Sequence, residues 1–250
     1  MDMCNELAMS TPIGARWAVL AGLCIALATG PSALAQGAAG PAASAPAPAE
    51  EPETTWNAMQ GEKLQALRAT GDAARGEITF EVCQGCHRAK ALGRPDGSYP
   101  RLAGQHASVL IKQMTDVRAG RRRNGKMLPF IDKHGVGPQD IADIAAYLSR
   151  LPVPPTQGQG PGTHLADGEK LYKNACVDCH GAAGEGDATR FYPRVNGQHF
   201  KYTLREMIDI RDGVRRNANP TMVEAIKRYT NADLEAVADH MSRLPVTGAR

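Results

Sequence analysis

The chain has 250 residues, with 29 lysines and arginines against 26 aspartates and glutamates for a formal net charge of +3, and only 5% of its residues are aromatic. So slight a charge excess gives no electrostatic footprint for nucleic acid or an anionic membrane surface. The length admits two small domains, and the aromatic fraction is low for a core built from side chains alone.

In chain order, Arg16 precedes an apolar run from Trp17 to Thr29, and Ala33-Leu34-Ala35 follows as an A-x-A cleavage site. Residues 1–35 therefore read as a secretory signal peptide cut after Ala35. The run is shorter than the roughly 20 residues a spanning helix needs; a retained N-terminal anchor is the alternative. Cys24 follows Leu23 rather than a small residue, so lipidation is not expected. Residues 36–55, nearly all Ala, Pro, Gly and Glu up to Pro52, cannot bury a core and read as an extended tether. A first domain is expected over 56–153, a Pro- and Gly-punctuated linker over 154–162 and a second domain over 163–250.

The two halves are copies. Cys83 maps to Cys176, His87 to His180, Tyr99-Pro-Arg-Leu-Ala-Gly-Gln-His106 to Tyr192-Pro-Arg-Val-Asn-Gly-Gln-His199, and Ser149-Arg-Leu-Pro152 to Ser242-Arg-Leu-Pro245, every pair at an offset of 93. The offset is expected to slip only between Arg123-Asn124 and Asp140. Within each copy the pattern is helical. Asp72 to Val82 leads into the first cysteine, as Asp167 to Ala175 does in the second half. Val109, Leu110, Met114 and Val117, matched by Leu204, Met207 and Ile208, have the spacing of an apolar helix face. Asp140 to Leu148 repeats it, with Pro138 near its start. Trp56 to Ala69 adds one helix ahead of the first copy, and no stretch alternates as a strand does.

Cys83-Gln-Gly-Cys86-His87 and Cys176-Val-Asp-Cys179-His180 carry the chemistry. C-x-x-C-H is the pattern for thioether attachment of haem, with the histidine as proximal iron ligand. With Cys4 and Cys24 lost on export, these motifs consume every cysteine of the mature chain. The competing reading is a structural zinc site built from both motifs, which leaves the duplicated downstream residues without a purpose. Two haem rings would supply the missing apolar bulk.

The sixth ligand decides between a closed electron-carrying iron and an open, reactive one. Three duplicated candidates exist: Met127 with Met222, Met114 with Met207, and His106 with His199. Met114 and Met207 lie on apolar helix faces, where methionine packs a core; His106 and His199 read as solvent-facing or capping residues. Met127 and Met222 follow an Arg-Asn loop able to bring a thioether back over the ring, and are favoured.

These motifs together resemble the dihaem cytochrome c4 family of class I cytochromes over nearly all of residues 70–245. The resemblance implies an all-α protein of two tandem class I cytochrome c domains, each around one covalently attached haem c. It implies axial iron ligands His87 with Met127 and His180 with Met222, and carbonyls of Pro100 and Pro193 orienting the two histidines. The second copy departs from it, since Met222-Val-Glu-Ala lacks the Met-x-Pro shape of Met127-Leu-Pro.

Arg101 and Arg194, directly after those prolines, read as contacts to haem propionates. Arg121, Arg122, Arg123, Arg215 and Arg216 read either as propionate or partner contacts or as a solvated charge run. The role expected is a periplasmic carrier of single electrons, from a membrane quinol-oxidising complex to a terminal oxidase, not an enzyme, with peripheral membrane association left open. The alternative is the electron-accepting subunit of a flavin- or quinone-dependent dehydrogenase. A dihaem enzyme needs an open distal position or a spare cysteine, and the sequence offers neither.

Overall fold

The computed structural model describes residues 56–132, 134–154 and 158–246. The expected signal peptide, the tether, residues 155–157 of the linker and the last four residues lie outside them. Ten helices are described: α1 Gly61–Arg68, α2 Ala73–Phe80, α3 Gln84–His87, α4 Ala107–Arg118 and α5 Pro138–Arg150 in a first module, then α6 Leu165–Ala175, α7 Val177–His180, α8 Phe200–Arg211, α9 Pro220–Ile226 and α10 Asn231–Arg243 in a second. Short 3-10 turns cover Glu81–Cys83 and Leu128–Phe130. No strand occurs among the described residues beyond a single bridge between Asp187 and Tyr192. None of the described helices is long and apolar enough to cross a membrane.

Local chemistry starts the helices where the sequence places them. Asp72 caps α2 by accepting the N–H groups of Ala74 and Arg75 at 2.8 and 3.2 Å. Pro138 opens α5, where the Asp140 carboxylate accepts the Gly137 N–H at 2.8 Å. Thr230 and Asp233 form a reciprocal capping box on α10.

Each module buries its own core. Phe80, Leu110, Ile111, Met114, Ile141, Ile144 and Leu148 fill the first, and Tyr172, Met207, Ile210, Leu234, Val237 and Met241 the second. The principal packing pair is α2 on α5 and, equivalently, α6 on α10. A Cβ at Gly76 would fall on the Asp143 carbonyl oxygen, and one at Gly168 on that of Ala236. Both glycines therefore let two helix backbones touch.

This pairing corrects the expected register. Gly76 matches Gly168 and Phe80 matches Tyr172, each at an offset of 92, while the cysteines keep 93. The first module has one residue fewer between buried aromatic and cysteine. It closes the gap with the tighter 3-10 turn Glu81–Cys83, where α6 stays α-helical to Ala175.

The modules meet in a reciprocal contact. Gln105 bonds the backbone of Arg194 and Gln198 that of Arg101; His106 bonds the Glu185 carbonyl and His199 that of Leu92. Each pair repeats the other at the 93-residue offset, the signature of a local two-fold relationship between copies.

Candidate haem centres

In the first module Cys83 closes the 3-10 turn and Cys86 and His87 follow on α3; in the second Cys176, Cys179 and His180 take the same places around α7. Spacing of three and four residues on one helical turn puts both thiols and the imidazole on a common side. None of these four cysteines is in a disulfide.

The His87 Nδ1–H donates to the Pro100 carbonyl at 3.1 Å, and the His180 Nδ1–H to that of Pro193 at 2.9 Å. Such a bond fixes the ring and its tautomer, leaving the Nε2 lone pair as the free ligand atom. Burial pushes both imidazoles below the usual histidine pKa, the carbonyls opposing it only in part, so both rings are neutral at pH 7. Tyr99 stands edge-on to His87 at 6.0 Å between ring centroids.

Burial also raises the thiols, Cys83 to about 11 and Cys176 to about 12, with Cys86 and Cys179 adding to it. Surroundings that disfavour thiolate suit a neutral thioether. Among the described residues no three His, Cys, Asp or Glu side chains converge as a metal cluster. Among those residues the zinc reading has no site.

Met127 precedes the Leu128–Phe130 turn, its N–H held by the Asn124 carbonyl at 3.1 Å and the Asn124 Oδ1 at 3.2 Å. Met222 lies in the first turn of α9, which Asn219 caps by accepting the Thr221 N–H at 2.9 Å. Both methionines are half-buried and pack against their module's core cluster, as does Cys83, while Cys176 is a buried member of its own. Met114 and Met207 are interior residues of α4 and α8. His106 and His199 hold the N-cap positions of α4 and α8, without a side-chain capping bond; the Nε2 of each is instead spent on a carbonyl of the other module at 2.7 Å.

The arginines divide. Arg101 is buried and reaches into the second module, donating to the carbonyls of Gly197 and, at 2.7 Å, Asn196. Its Nε and that of Arg94 are buried without a hydrogen-bond partner beside the His87–Pro100 loop, an arrangement that fits N–H donation to haem carboxylates. Arg194 is half-buried, and its backbone is held by Gln105.

Arg122 and Arg215 form neither a solvated run nor a partner-facing patch. Arg122 binds Glu206 at 2.9 Å and Gln113 at 3.1 Å, and Arg215 binds the same two residues at 2.8 and 3.2 Å. Gln113 and Glu206 occupy one position in the repeat, so this cluster sits on the local two-fold. Arg121 pairs with Asp116 at 2.8 Å. Sequence reasoning did not find the buried Lys112–Asp116–Asn217 group that extends the cluster. Its one available signal was the placement of Lys112 and Asp116 among the apolar positions of α4.

Two helical modules, each built around a C-x-x-C-H turn with a carbonyl-held histidine, define a tandem c-type cytochrome. The "Cytochrome c" family model matches residues 73–152 and again 165–245. The cytochrome c4 of Pseudomonas aeruginosa is 33% identical over 186 residues, covering 70% of this chain and 90% of the relative. A thiosulfate dehydrogenase electron acceptor of Stutzerimonas stutzeri is 29% identical over 197 residues, covering 75% of this chain and 87% of the relative. The crystal structure of reduced recombinant cytochrome c4 from Pseudomonas stutzeri superposes with a TM-score of 0.64 at 30% identity, over 70% of this chain and all of that one. The chain belongs to the cytochrome c4 family. It is accordingly an electron-transfer cytochrome with two covalently bound haem c groups, not an enzyme.

Proposed function

We propose that the protein carries single electrons in the periplasm, with His87 and Met127 on one iron and His180 and Met222 on the other. The observation carrying this reading is the pair of histidines held through Nδ1 by Pro100 and Pro193, each in a module whose methionine packs against the same core as the first cysteine. Each haem, when bound, supplies an iron that cycles between ferrous and ferric states.

The chain's residues do the rest. Cys83 with Cys86 would hold one haem and Cys176 with Cys179 the other, each thiol by addition of its S–H across a vinyl group, which needs no leaving group. The carbonyls of Pro100 and Pro193 fix the imidazoles, and Met127 and Met222 would supply each iron's second protein ligand, so that electrons would pass without ligand exchange. Arg101 and Arg194 are assigned to the propionates.

The route proposed runs from a membrane quinol-oxidising complex to a terminal oxidase, after export on residues 1–35 and with residues 36–55 as tether. The identity to a thiosulfate dehydrogenase electron acceptor supports a second route, in which a dehydrogenase is the donor. The far-red band of methionine bound to ferric haem tests the ligands. Met127→Ala and Met222→Ala should each remove half of it, and a full band in either variant rejects that assignment. Reduction by host membranes, compared with reduction by a purified thiosulfate dehydrogenase, separates the two routes.

A further inference from the structure

The helices α4 and α8 both end on an arginine that reaches across to the far end of the loop that follows it. Arg118 donates from Nη1 to the Val136 carbonyl at 2.6 Å, and Arg211 from Nη1 to the Tyr229 carbonyl at 3.0 Å. Arginines and acceptors alike keep the 93-residue offset, so the second bond repeats the first. Each bond spans the segment that carries a methionine, Met127 in one module and Met222 in the other.

The segments so closed differ inside. Met127 precedes a 3-10 turn, whereas Met222 lies in α9, and the two methionines are out of register with the repeat by two residues. Only the ends are alike. Val136 is a buried member of the first core cluster and Tyr229 packs against the second, the same clusters on which Met127 and Met222 pack. The bonded carbonyl and the methionine of each module are thus anchored on one core.

A carboxylate steadies each guanidinium. Glu62 of α1 pairs with Arg118 Nη2 at 2.8 Å, and the Arg118 side chain is only 6% exposed, so water does not replace the bond. Asp212 accepts from Arg211 Nε at 2.7 Å and Nη2 at 3.2 Å. The planar fork of arginine serves carbonyl and carboxylate at once, which the single head group of lysine does less well.

We propose that Arg118 and Arg211 are positioning residues that latch the two methionine loops at their ends and so keep Met127 and Met222 on their irons. The inference rests on the electron-carrier reading with its methionine ligands and names what holds those ligands in place. A neutral thioether stays on a metal only as far as the chain confines it there, and pinning both ends of its loop raises its local concentration.

Cyanide binding to the ferric dihaem protein reads the latch, because at saturating cyanide the rate is that at which the methionine leaves. In a Met222→Ala background the second iron is already open, and the slow phase belongs to the first module; Met127→Ala isolates the second. Arg118→Ala should raise the first module's limiting rate about tenfold and leave the second's unchanged, and Arg211→Ala should do the converse. Arg118→Lys should fall between wild type and Arg118→Ala. Glu62→Gln and Asp212→Asn should each raise the rate of their own module alone, about two- to fivefold.

An unchanged limiting rate in Arg118→Ala, even with lowered urea stability, overturns the proposal and leaves the arginine a purely structural residue. So does equal acceleration in both modules, which marks general loosening. If the alanine variants take up no haem, the other three decide, and unchanged rates in Arg118→Lys, Glu62→Gln and Asp212→Asn reject the latch. The methionine variants separate this from the ligand reading. A full far-red band in Met127→Ala or Met222→Ala rejects that ligand, while a halved band in each together with unaltered cyanide rates in the arginine variants rejects the latch alone.

Discussion

The side-chain amide of Gln105 holds both backbone groups of Arg194, donating from Nε2 to its carbonyl at 3.0 Å and accepting its N–H on Oε1 at 2.9 Å. Gln198 does the same to Arg101 in the opposite direction, with both contacts at 2.9 Å. Each proposed propionate arginine is thus placed by a glutamine of the other module.

Truncating either glutamine strands an N–H and a carbonyl at the module boundary. Gln198→Ala, at a buried site, should cost about 2–3 kcal/mol, and Gln105→Ala, where water can reach, about 1 kcal/mol. Urea unfolding of the intact haem protein measures both. An equal and negligible effect would remove these residues from the interface account.

His106→Ala and His199→Ala should leave the far-red band intact, because each ring is spent on a carbonyl across the boundary. Stability should fall by about 1 kcal/mol for the first and about 2–3 kcal/mol for the second, whose ring is fully buried. A halved band in either variant would make that histidine an iron ligand.

Gly76→Ala and Gly168→Ala place a methyl group on the backbone of the final helix of their module. Each should destabilise by at least about 1–3 kcal/mol, read as a lowered thermal midpoint. Ala74→Gly, on the exposed side of α2, serves as the helix-propensity control, with an expected cost of about 1 kcal/mol.

Burial alone would raise the Glu206 carboxyl, but Arg122 and Arg215 outweigh it and hold the group below its ordinary value of 4.5. A carboxylate depressed in the folded state adds stability that is complete above the unfolded pKa and vanishes as pH falls through the folded one. Between pH 6 and 3 the wild type should therefore lose stability more steeply than Glu206→Gln. Parallel curves would show that the cluster does not couple to the proton.

The helices, the duplication and the cysteine and histidine positions were legible because each leaves a periodic or motif-level trace. Val109, Leu110, Met114 and Val117, chosen on spacing alone, are all buried on α4. The one-residue slip between Phe80 and Cys83 left no trace, since motif matching weighs the cysteines and not the buried aromatic. The boundary network was illegible for another reason. Arg122, Arg215 and Glu206 are ordinary surface residue types, and only the docking of one copy on the other desolvates them.

That docking has a consequence for the molecule's ancestry. Gln105 and Gln198 fill one slot of the repeat, and so do the backbones they grip, so a lone module carries both the hand and the handle. Two such modules could clasp as a homodimer only at sufficient concentration. Joining them in one chain makes the clasp intramolecular, and its occupancy independent of how much protein is present.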